Sequence, residues 1–418
     1  MKLLIKSAVV IDASSKHHLK KVDLLITEGK FEKIASKISN PDNRKEIKLK
    51  NIHISQGWFD SSVSFGEPGY EERETIENGL TVAAKSGFTA IALNANTYPV
   101  TDSKSDIQFI LSKAEDSAVS IYPIGALTQQ SHGTSLAELF DMKNAGAIAF
   151  YDYQKSIDNP NLLKLALQYV QGFDGLIIVY CNDTHIAGNG VVNEEETSTK
   201  LGLKGIPALA EELHLNRNIF LLEYTEGKLH IPTISTEKSI EIIAEAKKKG
   251  LDISCSVSIN NLILSDETLD SFNTNLKLQP PLRTQKVNKQ LIKALKDGII
   301  DGVTSDHNPI DIEHKMVEFD HAMFGSIGLE SIFGALQTIF TTEESIAFLT
   351  RLKSRFNIPH TPIAEDKEVN ITLFNPESEW IFSENDILST SKNAALLNKK
   401  LIGKVYGIYA KKKLILKD

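Results

Sequence analysis

The chain has 418 residues, 41% of them hydrophobic and 24% charged, and carries a formal net charge of −8. That length suits one very large domain, or a large domain with a small one, and the composition excludes disorder as the dominant state. The acidic balance argues against a broad nucleic-acid footprint, and no apolar run approaches the roughly 20 residues that span a bilayer.

Two cysteines, Cys181 and Cys255, lie in apolar runs and cannot build a disulfide framework. They read as buried free thiols of a reducing compartment. Lys2-Leu3-Leu4-Ile5-Lys6 is too short and interrupted for a signal-peptide core, so the expectation is a soluble cytoplasmic protein. The first fifty residues give short β-like runs at Leu3–Ile11, Val22–Thr27, Phe31–Ala35 and Glu46–Ser55, and the last fifty give similar ones at Asn370–Asn375, Leu401–Tyr409 and Lys413–Leu416. A β-rich start and a β-rich end predict one small sheet domain built from both termini.

Between them, apolar strand candidates alternate with helical spacing. The strands are Trp58–Phe65, Phe88–Asn94, Ser120–Leu127, Ala147–Tyr151, Gly175–Cys181, Lys228–Ile234, Leu251–Ser258 and Gly302–Ser305. Helices are expected at Glu71–Ser86, Ser105–Glu115, Asn161–Gln171, Gly205–Leu213, Thr236–Lys249 and Val287–Asp297, with Gly87, Gly250 and Gly298 as C-terminal caps. Eight strands alternating with helices over about 250 residues have the rhythm of a (β/α)8 TIM-type barrel. An open doubly wound sheet would want a glycine-rich phosphate loop, and none occurs.

A barrel works at the C-terminal ends of its strands. Those ends read Asp60 to Gly69, Asn94-Ala95-Asn96-Thr97, Phe150-Tyr151-Asp152, Tyr180-Cys181-Asn182-Asp183, His230 to Thr236, Ser258 to Asn261, and Ser305-Asp306-His307-Asn308-Pro309. This mouth is rich in hydroxyls and amides and poor in imidazole. His230 reads as a packed core histidine and Cys181 as an inert thiol. Asp183-Thr184-His185 reads as the start of a mobile loop through Val192.

Several segments in order carry a family resemblance. Glu67-Pro68-Gly69-Tyr70-Glu71-Glu72-Arg73, Asn96-Thr97-Tyr98-Pro99, Tyr122-Pro123-Ile124-Gly125, Pro280-Pro281-Leu282-Arg283, Asp306-His307-Asn308-Pro309 and Phe324-Gly325-Ser326 span nearly the whole chain. With them the chain resembles a dihydroorotase of the amidohydrolase superfamily. The resemblance implies a barrel over 56–364 and a small β-sandwich from 1–55 plus 365–418. It also implies cyclic-amide hydrolysis in pyrimidine synthesis, with metal ions that activate water.

The family's metal positions, however, fall here on Ser62, Ser64, Asp152, Tyr180, Thr233 and Asp306. Its carboxylate-gripping arginine falls on Gly66, the asparagine before Pro280 on Gln279, and a late histidine on Ile310. Zinc is held by imidazole, thiolate and carboxylate, and serine or threonine hydroxyls ionise far too weakly to replace them. No metal cofactor is therefore expected. Asp306 is left as a vestigial general base facing water that no metal has brought from a pKa of ~15.7 towards ~7.

On the substrate side the resemblance implies contacts at Asn96, His307 and Gly325. Asp152 and Asp306 are expected to face each other, one of them protonated or bound by Tyr180 or His307. The leading expectation is a non-catalytic homologue that assembles with aspartate carbamoyltransferase and forms a homodimer. The alternatives are a working dihydroorotase with zinc on Asp152, Asp306 and Tyr180, and a metal-free hydrolase or binding protein for a small cyclic amide.

Overall fold

The structure is a computed structural model that describes residues 2–41 and 43–417. Five strands open the chain: β1 (Lys2–Ile11), β2 (Lys21–Thr27), β3 (Lys30–Ala35), β4 (Lys45–Ile47) and β5 (His53–Gln56). The barrel follows. β6 (Trp58–Val63), α1 (Ile76–Lys85), β7 (Phe88–Leu93), α2 (Lys104–Lys113), β8 (Ser120–Gly125), α3 (Leu139–Ala145), β9 (Ala149–Phe150), α4 (Pro160–Val170) and β10 (Ile177–Ile178) make its first half. A long excursion then holds α5 (Thr184–Ala187), β11 (Val192–Asn193), α6 (Glu196–Leu201) and β12 (Gly205–Ile206). The rest of the barrel is α7 (Ala208–Thr225), β13 (Leu229–Ile231), α8 (Glu237–Lys248), β14 (Ile253–Ser258), α9 (Ile259–Ile263), α10 (Gln285–Lys296) and β15 (Gly302–Thr304). Finally β16 (Ile371–Ile381), β17 (Lys400–Ala410) and β18 (Lys413–Leu416) return to the first sheet.

The terminal strands form one sheet in the order β18-β17-β16-β5-β1-β2-β3, with β4 beside β1. Antiparallel pairing of β16 with β5, Leu373 opposite Ile54, joins the two chain ends, and both side chains lie in a common core with Leu3, Ile5, Leu24 and Ile371.

The barrel strands run parallel in the order β6-β7-β8-β9-β10-β13-β14-β15. β6, β7 and β14 are buried at every position, as covered parallel strands require. Closure is made where β6 meets the chain beyond β15. Val63 bridges His307, the Ser64 amide donates to the His307 carbonyl at 2.7 Å, and the buried Asp60 carboxylate accepts the Thr304 hydroxyl and the Ser305 amide.

Helix starts follow their caps: Thr75 accepts from the Asn78 amide, Asn159 stands before Pro160, and Thr236 accepts from Ser239. Gly87, Gly250 and Gly298 do end their helices at positive φ. Trp58, fully buried, packs on Phe88, Phe333 and Phe374 and so joins the barrel to the terminal sheet. A Cβ on Gly87, where φ is +97°, would come within 2.6 Å of the Trp58 ring. Gly87→Ala is therefore expected to cost on the order of 2 kcal/mol by denaturant titration, through strain and displacement of that ring.

α7 departs from expectation. Instead of ending near Leu213 it runs to Thr225. Apolar spacing is lost at Asn216-Arg217-Asn218, yet the inward polar groups are satisfied. The Asn218 amide meets His214 Nδ1 at 3.1 Å, and Arg217 donates to the Ile157 and Asp158 carbonyls. Asp183, expected to open a loop, caps α5, and β11 pairs with β12 in a two-stranded ribbon.

Candidate functional site at the barrel mouth

Beyond β15 the chain turns through Asp306 in a left-handed conformation, φ +46°, which aspartate tolerates better than most residues. Its carboxylate is gripped from three sides. Oδ1 accepts from Ser62 Oγ at 2.9 Å and from the Tyr153 hydroxyl at 3.2 Å, and Oδ2 accepts from Gln154 Nε2 at 3.3 Å. Ser62 in turn accepts from Asn94 Nδ2 at 3.1 Å, and the same amide reaches Ser64 Oγ at 3.2 Å. Burial raises the Asp306 carboxyl to about 7; the Ser62 hydrogen bond opposes the rise, and the buried Asp60 carboxylate adds to it. Tyr153 and Gln154 sit one and two residues past Asp152, just beyond the end of the apolar run that marked strand four, and were missed for that reason.

Asp152 does not face Asp306. Its carboxylate turns to the loop after β8 and accepts from the Leu127 amide at 2.9 Å, the Thr128 amide at 3.0 Å and the Thr128 hydroxyl. The expected like-charge pair is thus replaced by two separately satisfied carboxylates, and neither Tyr180 nor His307 hydrogen-bonds to one. Burial pushes the Tyr180 phenol well above its ordinary range, with Glu211 next in effect. Thr233 is buried at φ +49°.

On the substrate side, Asn96 lines a cavity of about 440 Å³ with Tyr98, Tyr153, Gln154 and Gln279, and its buried Oδ1 has no partner. His307 is different from expectation. It is 0% exposed, its Nδ1 accepts the Gly328 amide at 3.1 Å, and its ring meets Phe65 edge-on, so it offers no surface to a ligand. Phe324, rather than Gly325, lines the cavity; at Gly325, φ +138°, a Cβ would lie 2.8 Å from Asn308 Nδ2. Gly66 can carry no side chain on this backbone, since a Cβ there would lie 1.7 Å from the Tyr70 carbonyl oxygen. The cations in the cavity wall are Lys155 and Arg73; Arg73 is paired with Asp311 at 3.0 Å and lies over the Tyr70 ring.

His230 is the packed histidine expected, between Ser254 and Ser256 hydroxyls and against Phe356, with burial lowering it to about 3. Cys181 and Cys255 are buried free thiols pushed up by burial.

A divalent cation does not fit these donors. Among the described residues no group of three or more His, Cys, Asp or Glu is placed to hold one. At the mouth, Ser62 and Ser64 are tied to Asn94, Asp152 is committed to the β8 loop, and burial keeps Tyr180 a neutral phenol.

A closed parallel barrel with a polar mouth and a sheet from both termini defines the fold as a (β/α)8 barrel with an accessory sheet domain. An L-hydantoinase (dihydropyrimidinase) from Arthrobacter aurescens superposes with a TM-score of 0.85 over 99% of this chain and 96% of its own, at 17% identity. A D-hydantoinase from Thermus sp. gives 0.83 over 100% and 95%, at 19% identity.

Residues 53–239 match the family model described as dihydro-orotase-like. A dihydroorotase of Syntrophus aciditrophicus is 35% identical over 97% of each chain, and one of Pelotomaculum thermopropionicum 34% over 100% and 99%. The chain belongs to the dihydroorotase family. Among the described residues no helix is long and apolar enough to cross a membrane.

Proposed function

We propose that this chain is a dihydroorotase homologue without metal-dependent ring hydrolysis, kept as a structural or regulatory partner of aspartate carbamoyltransferase. One observation carries the reading: the strand ends that would hold metal bear Ser62, Ser64, Tyr180 and Thr233, and the hydroxyls of Ser62 and Ser64 are bound into a hydrogen-bond network with Asn94 and Asp306. Such a network supports a mouth maintained for its fold. Water there lacks the Lewis acid that makes hydroxide at neutral pH, and each ~1.36 kcal/mol of lost stabilisation costs tenfold in rate.

Purified protein, dialysed against zinc and then desalted, is expected to retain far less than one ion per chain and to show no dihydroorotate turnover above background. It is expected to co-elute with aspartate carbamoyltransferase of the same organism. Stoichiometric zinc with rapid ring opening would reverse the reading.

The second reading is an active dihydroorotase, favoured by the name its full-length relatives bear. It would use Asp306, whose carboxyl near 7 is suited to exchange protons at neutral pH. Turnover that persists in chelator and is lost in Asp306→Asn would favour that reading. A ligand-binding role for the Asn96 cavity would show as thermal stabilisation by dihydroorotate, carbamoyl-aspartate or a hydantoin.

A further inference from the structure

Lys277 and Lys315 are 2% and 5% exposed, although a lysine normally keeps its ammonium in water. Together they lace two irregular segments. Lys277 follows a short turn at Thr274–Leu276, and its Nζ donates to the Phe319 and Asp320 carbonyls, each at 2.9 Å. Lys315 lies on the segment beyond β15, and its Nζ donates back to the Thr274 carbonyl at 2.9 Å and to the Met323 carbonyl at 2.8 Å. Among the described residues neither Nζ makes an ion pair. Lys315 borders a cavity of about 780 Å³, separate from the one that Asn96 lines. The other charges around that cavity do not compensate a buried ammonium. Asp311 is bound by Arg73 and His314, Glu72, Glu313 and Glu384 are exposed, and Lys392 is held by the Ile387 and Ser389 carbonyls.

An ammonium has three N–H groups to place, whereas a neutral amine has two and a lone pair. The two carbonyls therefore satisfy the neutral form of Lys315 in full and leave the third position on nitrogen free. Burial, with the Lys277 charge next in effect, lowers Lys315 to about 7. Lys277 is lowered by burial too, and Asp320 opposes that. At pH 7 about half of Lys315 is free amine, against roughly one in three thousand of a lysine at its ordinary 10.5. A desolvated lysine beside a second cation is a nucleophile, and the partner of a primary amine at neutral pH is an aldehyde or ketone. The nitrogen lone pair attacks the carbonyl carbon and the N–C bond forms. The carbonyl oxygen then leaves as water with both amine protons, so no further reactant is consumed. One solvent proton on the imine restores an N–H for the neighbouring carbonyls.

We propose that Lys315 captures a small oxo acid as an imine in this cavity, and that the Lys277 charge selects a carbonyl compound bearing a carboxylate. None of these residues belongs to the Asp306 network, so the test does not depend on the catalytic reading.

The full chain is treated with glyoxylate and cyanoborohydride, which fixes an imine as a secondary amine, and the labelled lysines are mapped by peptide mass spectrometry. At pH 7 Lys315 is expected to be labelled at least about tenfold faster than any other lysine. Its rate is expected to reach half its maximum near pH 7 and to level off by about pH 8. Glycolaldehyde, an aldehyde of similar size without the carboxylate, is expected to label Lys315 more slowly than glyoxylate. Lys277→Gln, its folding checked by circular dichroism, is expected to abolish that preference. No excess at Lys315, or a rate there that still climbs between about pH 8 and 10, overturns the imine site. Equal labelling of wild-type Lys315 by the two aldehydes overturns the oxo-acid assignment, and a folded Lys277→Gln that keeps the preference overturns the role of Lys277.

Discussion

Arg283→Met is expected to destabilise the protein by about 3–5 kcal/mol, because it leaves a buried carboxylate without its cation. The Arg283 and Glu211 side chains approach to 3.9 Å and both are almost wholly buried. Arg283 also donates to Ser235 Oγ, to Asn193 Oδ1 at 2.7 Å and to the Ile206 carbonyl, so a single guanidinium ties both strands of the β11–β12 ribbon to the chain beyond β13. Glu211 receives the Ser235 and Thr236 amides and the Ser235 hydroxyl.

The double variant Glu211→Gln with Arg283→Met removes both charges together. It should recover part of the loss, which denaturant titration of the four proteins in a cycle will measure. Strictly additive single effects would show that the pair is not coupled.

Asp306→Asn is expected to act in the opposite direction and only at higher pH. An acid raised to about 7 in the folded chain, against an ordinary 3.8, binds its proton more tightly folded than unfolded. Below about pH 4 both states are protonated and the group has no net effect. Between pH 4 and 7 the unfolded chain ionises first, so folding loses stability as pH rises; above 7 the deficit is constant. Three units correspond to an upper limit of about 4 kcal/mol.

The asparagine has no charge to bury and can still accept from Ser62 and Tyr153. Its melting temperature should exceed that of wild type at pH 8 and equal it at pH 4. An equal gain at both values would mean that the carboxyl is not perturbed.

Much of the fold was legible because its signals are local. Alternation of buried strands with three- and four-residue helical spacing marked eight strands with helices between most of them, and Gly87, Gly250 and Gly298 marked helix ends through the positive φ each adopts. The scarcity of imidazole at the strand ends could likewise be read directly, since side-chain chemistry at a position does not depend on how the position folds. α7 was less legible: Asn216-Arg217-Asn218 breaks an apolar pattern, and only packing against α4 and the Ile157–Asp158 carbonyls turns Arg217 and Asn218 inward.

What the chain's own order of residues settled is the architecture and the donor types available at the barrel mouth, because periodicity and functional groups are properties of the chain itself. Side-chain direction was decided in three dimensions. Asp152 and Asp306 both stand at strand ends, yet one closes the loop after β8 and the other joins Ser62, Tyr153 and Gln154. His307, adjacent to Asp306, is turned away into the amides of the 328 turn. A buried carboxylate takes whichever donors the backbone brings within about 3 Å, and those donors come from segments far apart in the chain.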